Sequence, residues 1–201
     1  MNTKLDIIFF WAMTHELFQC PNCDARFPTT QDFWMGTTIN FCPQCGNLLP
    51  ETANYIDNYF RIIQLVTSLQ DAKILFLKSK SVAAVREALI SLETIVREKS
   101  GLKNLMGSDL MVQAFSFKYD PTTDTITKEP RIRINSLSNI TERNEQEGMK
   151  FFAMGVMQGI RNIYMHTKGT EKLYYCLQII TAVDLILKQV LGWQSIAESS
   201  K

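Results

Sequence analysis

From about Ala53 onward, apolar residues recur every three or four positions, the period of amphipathic helices rather than strands. Tyr55, Ile56, Tyr59, Phe60, Ile62, Ile63, Val66 and Leu69 suit one helix, with a break near Ser68 before Ile74 to Leu77. A second helix begins after Ser81, a hydroxyl suited to capping. It carries Val82, Val85, Leu89, Leu92 and Val96 and stops at Ser100-Gly101. Its other side holds Arg86, Glu87, Glu93 and Arg97, which reads as a solvated face, with a polar support role at a site as the alternative.

The rhythm degrades between Gly107 and Leu137. A short helix fits Ser108 to Phe115, a turn fits Asp120-Pro121-Thr122-Thr123-Asp124, and Pro130 to Ile134 alternates like a short strand or extended segment. Helical period returns after Asn139, polar from Glu142 to Glu147 and apolar at Phe151, Phe152, Met154, Val156, Met157 and Ile160. Gly148, Gly155 and Gly159 interrupt it; because an internal glycine costs about 1 kcal/mol against alanine, something is expected to pack unusually close there. A last helix starts after Thr170, its expected cap, with Cys176, Ile179, Ile180, Val183, Ile186, Leu187 and Val190 as one buried stripe. Cys176 is accordingly a core residue. The pattern predicts a mainly α body over residues 53–201.

Composition narrows the class. With 46% hydrophobic and 20% charged residues the chain can bury a core and is not disordered, and a net charge of +1 supplies no field that selects a nucleic acid. The charge is uneven, however: residues 1–52 hold two basic against five acidic residues, −3, and the remainder 19 against 15, +4. The apolar run Ile7 to Met13 is far shorter than the roughly 20 residues that cross a bilayer and lacks the pattern of a signal peptide. A cytoplasmic protein without a membrane anchor, its thiols reduced, is expected.

Four of the five cysteines form two knuckles, Cys20-Pro21-Asn22-Cys23 and Cys42-Pro43-Gln44-Cys45, separated by residues 24–41. Two thiolates from each tight turn complete a tetrahedral set, and a spacer of this length accommodates a hairpin that brings the pairs together. The spacing predicts one structural Zn²⁺ per chain, held by Cys20, Cys23, Cys42 and Cys45, in a small β ribbon over residues 1–52; with four thiolates present, His15 is surplus. Phe18 to Cys23 and Phe41 to Gly46 resemble the two halves of a zinc ribbon. Its acidity makes the ribbon a poor phosphate clamp and favours a structural or protein-contact role over DNA binding.

Gly159-Ile160-Arg161-Asn162-Ile163-Tyr164-Met165-His166 is the chemically suggestive segment. Arg161 and His166 are five apart, about 140° around a continuous helix, so convergence needs a frayed helix end or a two-fold axis. This segment, with Ala83 to Ala88, Glu98 to Leu102, Asp109 to Phe115 and Asn144 to Gly148, resembles the Ymh-like branch of the HEPN (higher eukaryotes and prokaryotes nucleotide-binding) superfamily. Its Gly-Ile-Arg-Asn-Pro-x-x-His signature is matched here except that Ile163 replaces proline.

The resemblance implies a four- or five-helix bundle that forms a homodimer, setting two Arg-Asn-x3-His motifs across a shared cleft. It implies a metal-independent endoribonuclease in phage defence, abortive infection or a toxin-antitoxin system, with RNA as substrate and an antitoxin or defence-system protein as partner. Arg161 would stabilise the phosphorane, Asn162 orient substrate or the histidine, and His166 transfer protons, with a 2′,3′-cyclic phosphate and a 5′-OH as products. Many such domains are instead non-catalytic dimerisation or adapter modules that bind a protein or a nucleotide, and that reading stands beside the first.

Overall fold

The computed structural model describes residues 17–28, 42, 44–166 and 173–192. They form two compact units, one holding the ribbon and the following helix as far as Arg61 together with Leu77–Ser79, the other Ile62–Phe76 with the chain from Lys80 on. The run Ile7 to Met13, His15, Thr170 and most of the spacer between the knuckles lie outside the described residues.

In the first unit, strands β1 (Leu17–Gln19) and β2 (Arg26–Pro28) pair antiparallel, with Phe18 opposite Phe27. The hairpin therefore spans the first knuckle. Helix α1 (Pro50–Ile62) begins on a proline, tolerated at a first helical position because that amide has no intrahelical acceptor. Ile56 and Phe60, one turn apart, are buried, whereas Tyr55 and Ile62 are exposed.

The second unit is helical. After a 3-10 turn (Thr67–Leu69) come α2 (Gln70–Leu77) and α3 (Ser81–Ser100), the latter ending where Gly101 takes φ +71° and donates to the Arg97 carbonyl. Ser81 is the first helical residue and not the cap, for Lys80 precedes the helix without a side-chain cap bond. Next follow α4 (Gly107–Phe115), strands β3 (Lys118–Asp120) and β4 (Thr125–Lys128) closed by the predicted turn, and α5 (Ile140–Gly155). The helical rod continues through a π turn (Val156–Ile160) into α6 (Arg161–His166), and α7 (Leu173–Leu191) ends the fold.

Helix α3 is the centre: it packs against α7, α4, α6 and the 3-10 turn. Ala84, Val85, Ala88, Leu89, Leu92 and Val96 are fully buried along it, facing the stripe Cys176, Ile180, Val183, Ile186 and Leu187 of α7. Helix α7 has the length and apolarity of a membrane span, and among the described residues no other helix does. Its stripe against α3 gives that apolarity a core role.

Two expectations are corrected. The first helix of the body does not run to Ser68: it stops at Ile62, Gln64 takes φ +52°, and Val66 is extended. The cause is distant in sequence. Asp184 and Lys188 of α7, both buried and paired at 2.7 Å, hold the turn, Asp184 accepting from the Val66 amide at 2.8 Å and Lys188 donating to the Ile63 carbonyl. The segment Pro130 to Ile134 is neither a strand nor extended: the chain bends at Arg131, Ile132 and Ile134 and joins no strand ladder. The fully buried Gln146 replaces the ladder, donating to the carbonyls of Phe115 (3.0 Å) and Ile132 (2.9 Å) and accepting from the Ile134 amide (3.0 Å).

Helix α5 begins at a reciprocal cap. Asn139 accepts from the Glu142 amide at 3.0 Å, and the Glu142 carboxylate reaches back to the Ser138 amide at 2.8 Å and to the Ser136 hydroxyl. The Ser136 hydroxyl first, then the Ser138 amide, hold the Glu142 carboxyl below its ordinary value of 4.5. Its contribution is therefore present above that value and lost as pH falls through the lower folded one. We expect Asn139→Ala to cost about 1 kcal/mol in urea unfolding. The stability difference between wild type and Glu142→Gln should vanish as the medium is acidified.

Candidate functional site

The knuckles are near copies of each other. Cys20 donates its amide to the Ala25 carbonyl and accepts from the Asp24 amide; Cys42 does the same with Asn47 and Gly46, all four bonds at 2.8 or 2.9 Å. Both turns need a left-handed residue at the same place, supplied by Asp24 (φ +58°) and Gly46 (φ +71°). The four sulfurs lie within 4.8 Å of one another, with Cys20 and Cys45 Sγ 3.8 Å apart and Cys23 and Cys42 Sγ 3.6 Å apart. Those distances are too long for disulfides, and they match the edge of a tetrahedron of thiolates at 2.3 Å from a metal, about 3.8 Å. Cys20 and Cys42 are buried beside Leu49, so the cluster doubles as the ribbon's small core.

Crowding splits the thiols. Cys45 is lowered to about 6, first by the Asn47 amide against desolvation, with Asn22 and the neighbouring thiols adding. Cys23 is pushed up to about 12: the Ala25 amide lowers it, but desolvation and the three other thiols together outweigh that bond. A bound cation would relieve the accumulation of negative charge that keeps the last protons on.

The second constellation surrounds Arg161. The π turn before it is sealed by the Arg161 amide donating to the Val156 carbonyl, five residues back. Beyond it Arg161 turns toward α3, where its Nε lies 3.1 Å from Glu93 Oε2. This is an ion pair without an aligned hydrogen bond, since the buried Arg161 Nε has no acceptor in line with its N–H. The other Glu93 oxygen is taken by Arg97, which also donates to the Leu105 carbonyl at 3.3 Å. Glu93 is 8% exposed, and two guanidiniums around one carboxylate leave the cluster a net charge of +1. One helical turn on, Tyr164 is buried with its hydroxyl 4.0 Å from Cys176 Sγ, and its carbonyl accepts from Arg86 Nε at 2.7 Å.

Of the predicted motif, Arg161 is half-buried against Glu93 and Asn162 is exposed. His166 is the last residue of α6, its side chain lying outside the described residues. The solvated face assigned to α3 is the main correction, because Glu93 is buried and Arg86 and Arg97 are half-buried against neighbouring backbone. Its signal lay in the spacing: Leu89, Leu92 and Val96 put Glu93 inside the same arc of the helix. The three rod glycines are also corrected within the described residues, among which a Cβ at Gly148, Gly155 or Gly159 would meet nothing within 4 Å.

A helical unit with an arginine-rich polar seam at its centre, preceded by a four-cysteine ribbon, is the class of protein these features define. The sequence profile of a family described as protein of unknown function, Hypoth_ymh, matches residues 68–190, and the chain belongs to that family. The ribbon precedes the matched span. No curated protein and no solved structure matches the chain.

The sulfur geometry predicts one tightly held metal ion per chain. Elemental analysis of protein purified without chelator should read one equivalent, and Cys42→Ser should lose it together with the dispersed amide signals of residues 17–28. The signals of the helical unit should persist in that variant, because its core contains none of the four cysteines.

Proposed function

We propose that the helical unit is a HEPN-type, metal-independent endoribonuclease. In this reading it is a cytoplasmic effector of phage defence, abortive infection or a toxin-antitoxin pair, with the ribbon as a structural zinc module. The observation that carries the reading is Arg161. Its side chain is 29% exposed, it belongs to a cluster of net charge +1, and it opens the short helix that His166 closes. RNA brings its own nucleophile, the 2′-OH, so cleavage requires a cation at the phosphate and a group that moves protons near neutral pH. Arg161 supplies the first through its fork of donors and His166 the second, with an unperturbed pKa of about 6.5. Asn162, exposed beside Arg161, orients the substrate or the histidine.

A second copy completes the site in this reading. Arg161 and His166 open and close one short helix about 140° apart around its axis, a separation that a two-fold partner would bridge. On the outer side of the rod Phe151 is 54% and Ile163 56% exposed, with Gly155 and Gly159 between them in the chain. Beside it, Phe152, Gln178, Ala182 and Leu185 line a groove of about 440 Å³. An isologous interface along this face lets the glycines admit the partner's helix and brings the two copies of the motif helix together. In this reading the four thiolates hold a structural Zn²⁺, whose preference for tetrahedral sulfur ligation fits the site.

One observation favours the adapter reading instead. Glu93 already engages Arg161, as it would in a purely structural seam. The deciding experiment is incubation of purified protein with total RNA and with tRNA, with and without EDTA. We expect EDTA-resistant cleavage leaving 2′,3′-cyclic phosphate ends, abolished in His166→Ala; an inert wild type assigns the adapter role. Light scattering at tens of micromolar should give a dimeric mass, and Gly159→Leu should weaken association and cleavage together. A monomer that cuts RNA would dispose of the shared site.

A further inference from the structure

The polar edge of α3 meets the motif helix at both of its ends. At the start, Glu93 Oε2 lies 3.1 Å from Arg161 Nε. At the finish, Arg86 Nε donates at 2.7 Å to the carbonyl of Tyr164, one of the last four of α6, which a helix leaves without intrahelical donors. Arg86 and Glu93 are two turns apart on α3, and Tyr164 and Arg161 about one turn apart on α6, so the two helices run antiparallel and each pair meets on one face.

We propose, building on the nuclease reading, that Glu93 and Arg86 are positioning residues for the cleavage motif. Glu93 holds Arg161 by its Nε side, which directs the terminal Nη groups toward the scissile phosphate. Arg86 fixes the helix end that carries His166. Among the described residues Glu93 is the sole carboxylate in ion-pair contact with Arg161, and at 8% exposure it is shielded from the water that would otherwise weaken the contact. Arg97 is what makes the arrangement compatible with an anionic substrate. By neutralising the second carboxylate oxygen it leaves Arg161 oriented without cancelling its charge. A carboxylate paired with Arg161 alone would fix the side chain but leave no net charge for the phosphate.

The motif segment itself lacks these constraints. Arg161 has four rotatable side-chain bonds, and losing their freedom only on binding substrate would subtract from transition-state stabilisation. Arg86, by bonding the Tyr164 carbonyl, ties the half of α6 that bears His166 to α3. Both contacts come from one rigid, buried helix, the kind of support that a reactive geometry requires.

The test has two arms. A double-mutant cycle of Glu93→Gln and Arg161→Met in urea unfolding reads the contact independently of turnover and should give a coupling of at least about threefold in the folding equilibrium. Additivity would overturn the contact. In RNA cleavage, Glu93→Gln should lower kcat on the order of 100-fold with KM no higher, since the cluster gains positive charge while its geometry loosens. Arg86→Lys should show an intermediate loss. Cleavage by Arg161→Ala should be partly restored by tens of millimolar guanidinium, and that rescue should disappear in Arg161→Ala with Glu93→Gln, because nothing then seats the added cation. Should Glu93→Gln fail to fold, Glu93→Asp serves, with the same split between kcat and KM expected. Unchanged kcat, or guanidinium rescue that survives loss of Glu93, overturns the positioning role. A wild type that cuts no RNA while the cycle shows coupling overturns the nuclease reading and this inference with it. An active wild type, silenced by His166→Ala and showing no coupling, overturns this inference alone.

Discussion

Because helix α3 is packed by α7, α4, α6 and the 3-10 turn, a polar group outside its exposed stripe through Ile90, Thr94 and Glu98 must find a partner inside the protein. Removing a carboxylate from water costs several kcal/mol, and one opposing cation rarely returns the whole of it. Glu93 meets that constraint with two guanidiniums, one from its own helix at i+4 and one from the motif helix. Satisfying a buried charge and fixing the orientation of α6 are thus the same event. The bond from Arg86 to the Tyr164 carbonyl adds a second point along α6, and two points define its direction.

The other buried polar side chains obey a related rule: each serves backbone that has no helix or ladder to satisfy it. Asp184 and Lys188 take the Val66 amide and the Ile63 carbonyl, at the stretch where the chain leaves one helix before entering the 3-10 turn. Gln146 takes the Phe115 and Ile132 carbonyls and the Ile134 amide, where a bent segment passes the end of α4 without a strand partner. Had apolar residues stood there, those backbone groups would be buried unpaired at about 1–3 kcal/mol each. These two irregular stretches are thereby tied to α7 and α5.

This explains what could be read from the chain and what could not. The limits of α3 at Ser100-Gly101, the short helix ending at Phe115, the cap at Asn139 and the cysteine tetrad are local signals, carried by residues within a few positions of the feature they specify. The stop at Ile62 is not local, since its cause lies at Asp184 and Lys188. The unpaired run Pro130 to Ile134 alternates like a strand because Ile132 is buried and Arg131 and Arg133 are exposed, yet its hydrogen-bond partners belong to other segments. Arg161 was visible as a motif residue, whereas the carboxylate it leans on was named only within the alternative, a polar support role for Arg86, Glu87, Glu93 and Arg97. A period of 3.6 tells which arc of α3 faces inward, and on a helix covered on several sides that arc is wide enough to swallow Glu93.

The glycines of the rod acquire a different meaning from the same geometry. Among the described residues, a Cβ on any of them would meet nothing within 4 Å. Two of them, Gly155 and Gly159, flank or lie in the π turn Val156–Ile160, where the hydrogen-bond ladder shifts from four residues to five. A π turn gives up regular α geometry, and residues of low helix propensity have least to lose there. The extra residue in the turn shifts the phase of everything beyond it by about 100°. That phase brings Arg161 and Tyr164 inward to α3 while Asn162 and Ile163 are left exposed. Without the wider turn, the inward residues of α5, Gln146 and Ala153 among them, and those of α6 would compete for one register. The π turn lets α5 keep the core and α6 keep the polar seam.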